Sequence, residues 1–159
     1  MKNNKNKDKK EYRLITIIAI LIIVVDQITK AIVLNAEVIT IIPNVLQFKV
    51  QENISSSSMN IVTSLIAILI IFKFIMTQNS FVDQKIKVFL SFVLAGGISN
   101  IIDKVARGYL VEFIDFTPSI SLPILNIADI FVIIGWIGFA WIFAVFTVKE
   151  IRDRRNLNK

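Results

Sequence analysis

Residues 124 to 148 read ILNIADIFVIIGWIGFAWIFAVFTV, a stretch in which Asp129 is the only charged side chain. An apolar run of this length exceeds the roughly 20 residues that an α-helix needs to cross a bilayer. Three more runs of similar apolar weight lie outward along the chain, at Leu14 to Leu34, Met59 to Met76 and Ile86 to Ile102. With a hydrophobic content of 55% and a mean hydropathy of +0.69, they place the 159-residue chain in the membrane class, as one integral unit. The expected fold is an all-α membrane protein of four transmembrane helices. Lys2 to Arg13 followed by Leu14 to Val25 has the outline of a secretory signal, but no small-residue cleavage pattern follows, so the segment is read as a mature helix. The chain shows no internal repeat.

Charge sets the expected topology. Lys2, Lys5, Lys7, Lys9, Lys10 and Arg13 precede the first helix, Lys149, Arg152, Arg154, Arg155 and Lys159 follow the fourth, and Lys85 and Lys87 sit between the second and third. By the positive-inside rule these segments belong in the cytoplasm. Residues 1–13 and 149–159 are then basic cytoplasmic tails around a four-helix domain over 14–148. The longer loops, Asn35 to Ser58 and Asp103 to Pro123, fall outside. Within the first, Leu46, Phe48 and Val50 alternate with Gln47, Lys49 and Gln51 after a Pro43-Asn44 turn, which predicts a small extracytoplasmic β element. Topology also accounts for the net charge of +6. The basic residues form no patterned face interleaved with aromatics, so no nucleic-acid partner is expected.

The chain has neither cysteine nor histidine, which removes thiol chemistry, disulfides, imidazole catalysis and the common zinc sites. Catalysis, if present, rests on carboxylates, Ser, Lys or Tyr, and no metal or other cofactor is expected. Polar residues from three helices converge at one outward depth: Asp26 and Lys30 in the first, Asn100 and Asp103 in the third, Asn126 and Asp129 in the fourth. Intramembrane charges cost on the order of 3 kcal/mol each and usually face a protein interior. Asp26 and Lys30, four residues apart, suit a structural ion pair. Asn100, Asp103 and Lys104 share a face and suit support. Gly96-Gly97 permits close helix approach. Asp129 has no cation within a helical turn, and two roles fit it equally: proton handling or capping of the fourth helix. In the second outer loop, Glu112 and Asp115 lie among apolar residues. In an extended segment they point to opposite sides, leaving one to face the helices. Paired carboxylates without His, Cys or metal point to aspartyl-type hydrolysis, one acid ionised and one protonated.

These blocks resemble a known family. Asp26-Gln27-Ile28-Thr29-Lys30 is similar to the D-Q-x-T-K signature of lipoprotein signal peptidases, also called signal peptidase II. Gly96 to Lys104, GGISNIIDK, resembles G-x-x-G-N-x-x-D-R. Leu110 to Asp115, LVEFID, resembles V-V-D-F-I-D, and Leu125 to Asp129, LNIAD, resembles F-N-I-A-D. The resemblance covers roughly residues 14 to 148. It implies a membrane aspartyl endopeptidase open to the outer leaflet of a bacterial cell membrane, acting without cofactor. Its partners would be membrane lipids and a prolipoprotein substrate with a diacylglyceryl-modified cysteine. The family's dyad falls on Glu112 and Asp129, and its supporting positions on Asp26, Lys30, Asn53, Asn100, Lys104 and Asn126. A monomer is expected.

Three positions and one loop depart from the family pattern. Glu112 replaces its Asp, moving the carboxylate by about an ångström, a shift that can cost about a hundredfold in rate. Lys104 replaces Arg and lacks the planar fork. Ser99 replaces Gly. The N-x-G-A-A-F loop becomes Asn53-Ile54-Ser55-Ser56-Ser57-Ser58, a serine run that reads as a solvated loop. The alternatives to an active peptidase are a divergent paralogue that binds lipid-modified peptides with little or no proteolysis and, as a lesser option, a small four-helix transporter with Asp129 as coupling carboxylate. Transporter sites favour the bilayer midplane, whereas Asp129 is only roughly 8 Å along the helix from Ile124.

Overall fold

The computed structural model describes residues 2–54, 58–77, 84–116, 118–120 and 122–157. Four helices alternate with three short strands: α1 (Lys2–Val33), β1 (Ile39–Ile42), β2 (Leu46–Asn53), α2 (Ser58–Met76), α3 (Gln84–Ala106), β3 (Leu110–Asp115) and α4 (Ile127–Leu157). Residues 9–33, 84–106 and 127–156 form helices long and apolar enough to cross a membrane. The apolar part of α2, Ile61–Met76, is shorter, although all 19 residues of α2 rise about 28 Å, close to the hydrocarbon thickness. Residues 55–57 of the serine run lie outside the described residues.

The two outer helices run further than their apolar stretches. α1 starts at Lys2 and α4 continues to Leu157, so both basic segments extend the helices they flank. Neither segment contains Pro or Gly to stop the helix, and Arg154 pairs with Glu150 one turn earlier at 2.8 Å. At its other end α4 begins at Ile127, three residues later than the apolar run, because Leu125 forms a β-bridge with Ile114.

α3 is the central helix, packed against α1, α2 and α4. Glycine makes the α3–α4 contact close. A methyl carbon placed on Gly96 would lie 2.5 Å from the Ala128 carbonyl oxygen, and one on Gly135 would lie 2.6 Å from the Phe89 carbonyl oxygen. Gly97, on another side of α3, faces Ile68 of α2. Beyond these contacts the bundle is apolar outside: Ile20, Ile32, Leu69, Ile137 and Trp141 are all more than half exposed, as lipid-facing side chains are.

The strands form one antiparallel sheet in the order β1-β2-β3. Its third strand comes from the second outer loop, so the β element extends beyond the first loop, where the alternation had placed it. Asn44, with φ of 58°, makes the turn between β1 and β2, a conformation that Asn tolerates better than most residues. The sheet seats Val111, Phe113 and Ile114 on Val33 of α1 and Ile127 of α4.

Candidate functional site

The polar cluster starts from Lys30. Its Nζ lies 2.7 Å from Asp26 Oδ2 and 2.8 Å from Asp103 Oδ2, and it donates to Asn100 Oδ1 at 3.0 Å. All three ionised side chains are fully buried. Such a group is tolerable only when each charge is paired and hydrogen-bonded. Arg107 completes the neutralisation by pairing with Asp103 while donating to Gln27 Oε1 at 3.0 Å. Gln27 Nε2 in turn donates to Asp103 Oδ1 at 2.9 Å.

Asn100 carries the cluster towards α4. Its oxygen accepts from Lys30 and from Asn126 Nδ2 at 3.1 Å, and its Nδ2 donates to Asp129 Oδ1 at 2.8 Å. The start of α4 is a reciprocal cap. Asn126 Oδ1 accepts the Asp129 N–H at 2.9 Å, and Asp129 Oδ2 accepts the Asn126 N–H at 3.0 Å, the arrangement of a capping box. The cap role open to Asp129 is therefore present in its geometry, and the same carboxylate also faces Asn100. Asp26 holds the adjacent amide, accepting the Ala128 N–H on Oδ1 at 2.8 Å.

β3 presents the remaining acids. Gln47 pairs with Asp115 and Gln51 with Glu112, so five residues of β2 span four of β3 across a register shift between Phe48 and Gln51. This bulge keeps strand partners facing one another although Glu112 and Asp115 point to different sides. Asp115 accepts from Gln47 Nε2 at 2.7 Å. Glu112 accepts from Asn53 Nδ2 at 3.1 Å. Burial pushes the Glu112 carboxyl above the ordinary glutamate range; the Asn53 hydrogen bond opposes this, the Asp129 charge adds to it, and Lys30 and Lys104 oppose it. β3 is tied to the helices through its backbone, with Val111 N–H donating to Asp103 Oδ2 at 3.2 Å and Val111 O accepting from Asn126 Nδ2 at 3.1 Å.

Asp26, Lys30, Asn100, Asn126 and Asp129 thus join one hydrogen-bonded chain, and Asn53 with Glu112 faces it from the sheet. Lys104 stands apart from that chain and acts on Glu112 through its charge. The guanidinium beside Asp103 belongs to Arg107, one turn further on. Arg107 and Gln27 join the cluster without having been singled out as site residues, whereas Asp103 was among the converging polar residues and Ser99 was marked only as a departure from the family pattern. The four-residue spacing of Asp103 and Arg107 was the available signal. Among the described residues no group of three or more Asp or Glu is arranged to hold a metal ion.

The fold and this cluster define an integral membrane protein with carboxylates gathered where a small sheet caps one end of a helix bundle. Its residues 18–146 match the family described as signal peptidase (SPase) II, and the chain belongs to that family. Members are aspartic endopeptidases that process lipoprotein precursors. A lipoprotein signal peptidase of Clostridioides difficile is 30% identical over 148 residues, covering 86% of this chain and 97% of the relative. One of Enterococcus faecalis is 31% identical over 96 residues, 60% of this chain and 57% of the relative. A bacterial membrane enzyme solved by the in meso method at 1.9 Å superposes with a TM-score of 0.70 at 27% identity, covering 80% of this chain and 90% of that one.

Proposed function

We propose that the chain removes the signal peptide from diacylglyceryl-modified prolipoproteins, using Glu112 and Asp129 as a carboxylate dyad. The observation that carries this reading is the convergence of the two acids, one on the sheet and one in the first turn of α4, with Lys30 and Asn100 behind them. One acid, ionised, takes a proton from water as it attacks the scissile carbonyl, while the other, protonated, donates to the carbonyl oxygen; on collapse of the gem-diol the first passes its proton to the leaving amine and the second recovers its own from the hydroxyl. Burial raises the proton affinity of Glu112, which suits a pair that keeps one shared proton. Lys30 and Asn100 hold Asp129 in place through the hydrogen-bonded chain. Supporting positions are Asp26, Asn53, Lys104 and Asn126.

An apolar cleft of about 330 Å³ lies beside β3, lined by residues including Ile32, Phe48, Phe113 and Ile127, a surface suited to a lipid-modified substrate. The Lys and Arg asymmetry supports cytoplasmic termini, basic tails at 1–13 and 149–159, and a site near the outer face. The working unit is a monomer in the bacterial cell membrane. Glu112 in place of the family's Asp favours a second reading, a paralogue with little proteolysis. Cleavage of a lipid-modified prolipoprotein by the purified protein in detergent decides between them: turnover supports the peptidase, and none under conditions where the C. difficile relative works supports the paralogue. For the topology, a single cysteine at Glu37 should react with a membrane-impermeant thiol reagent on intact cells and one at Asn156 should not. The opposite pattern would overturn the orientation.

A further inference from the structure

We infer that Ser99 is a positioning residue for Asp129, acting through Asp26, a role that rests on the peptidase reading above. Ser99 is fully buried on α3. Its Oγ donates to Asp26 Oδ2 at 2.7 Å and accepts from Gln27 Nε2 at 3.1 Å. The other oxygen of Asp26 grips the Ala128 N–H, one of the amides that the first turn of a helix leaves without an internal partner. Ala128 immediately precedes Asp129, so the direction of the Asp26 carboxylate sets where this turn of α4 sits.

Ala128 is clamped from both sides, its carbonyl by Gly96 of α3 and its N–H by Asp26 of α1, which Ser99 of α3 orients. Gly96, three residues before Ser99 on α3, leaves room for the Ala128 carbonyl, since any side chain there would collide with it. Ser99 then aims the carboxylate that holds the Ala128 N–H. Lys30 also contacts Asp26, but its ammonium is divided among Asp26, Asp103 and Asn100. A lysine is a point charge on a flexible stem and orients a carboxylate weakly. The Ser99 hydroxyl, on a short side chain of the central helix, fixes a direction. Ser99 stands where the resembled pattern carries glycine, which has no hydroxyl to offer, so this clamp is an addition of this chain.

The test compares the full-length protein with Ser99→Ala and Ser99→Thr in detergent micelles, reading steady-state cleavage of a lipid-modified prolipoprotein and hydrogen exchange of the amides in the first turn of α4. Ser99→Ala should lower kcat about tenfold, a fraction of the about hundredfold that a full ångström of misplacement can cost, with KM unchanged, and Ser99→Thr should restore it. The first-turn amides should exchange faster in Ser99→Ala, by more than the amides of the other helices, whose smaller acceleration reports the stability lost with one buried partner. Parent-like kcat in Ser99→Ala, a change confined to KM, or Ser99→Thr behaving as Ser99→Ala would overturn the role. If the parent protein does not cleave at all, the peptidase reading fails by itself. Hydrogen exchange then decides the clamp alone: faster first-turn exchange supports it, and unchanged exchange overturns it.

Discussion

At the end of the bundle where α2 finishes and α3 begins, Ile15, Ile75, Ile86 and Leu90 fill the space between helices, with Phe139 and Ile142 of α4 packed against them. At the opposite end the equivalent space holds Asp26, Lys30, Ser99, Asp103 and Asn126, all fully buried. The first end also buries charge, but as one pair rather than a network among the described residues: Lys87 pairs with Glu11 at 3.3 Å and lies over the Tyr12 ring. Between helices in lipid, apolar side chains gain van der Waals contact but little hydrophobic driving force. The apolar end is therefore ordinary packing, and changes there should cost in proportion to the cavity left. The polar end demands complete pairing, because each lost partner leaves a charge or dipole stranded in low dielectric. Such a cluster is a costly way to join helices, and its retention fits a role in chemistry.

The largest expected effect follows from the chemistry at the polar end. Asp129→Asn preserves shape and keeps one acceptor oxygen, but removes proton exchange, and turnover on a lipid-modified prolipoprotein should fall by about 10²–10⁴-fold. Glu112→Gln should do the same. Retained turnover in either variant would remove that acid from the dyad and leave the polar end a structural device.

Next in size is the difference in stability between the ends. Lys30→Met strands Asp26 and Asp103 and should cost about 3–5 kcal/mol, whereas Leu90→Ala at the apolar end should cost about 2 kcal/mol. Reversible unfolding in mixed micelles measures both. Equal losses would erase the contrast between a paired and a merely packed end.

The smallest effect is a pH dependence. Because the folded protein holds the Glu112 proton more tightly than the unfolded chain does, the native state binds more protons between the two pKa values. Stability then declines as pH rises through that window. Glu112→Gln should remove this component, so its thermal midpoint should gain on the parent from acidic to neutral pH. Parallel pH profiles would show that burial does not perturb Glu112.

Much of this molecule was legible in the sequence, and the part that was not has a common cause. Four apolar runs announced four helices, since crossing a bilayer imposes a minimum length and excludes charge whatever the neighbours are. The alternation at 46–51 announced a strand, and motif spacing marked Asp26, Lys30, Asn100, Asn126, Glu112 and Asp129 before any contact was known. The basic segments joined to α1 and α4 were less legible, because charge patterning reports the side of the membrane and says nothing about where a helix stops.

What the sequence determined by itself was local: helix number, the positions of the acids, and the exclusion of thiol and imidazole chemistry by the absence of Cys and His. What only the tertiary structure decided was partnership. It paired Lys30 with Asp103 as well as Asp26, put the Arg107 guanidinium beside Asp103, drew β3 into the sheet, and linked Ser99 to Ala128 through Asp26. A hydrogen bond between residues more than 70 positions apart, as from Ser99 to Asp26, depends on how α3 is rotated against α1. Gly96 and Gly135 likewise fix how α3 is rotated against α4 by letting the two backbones approach, and spacing along one helix carries no record of either rotation.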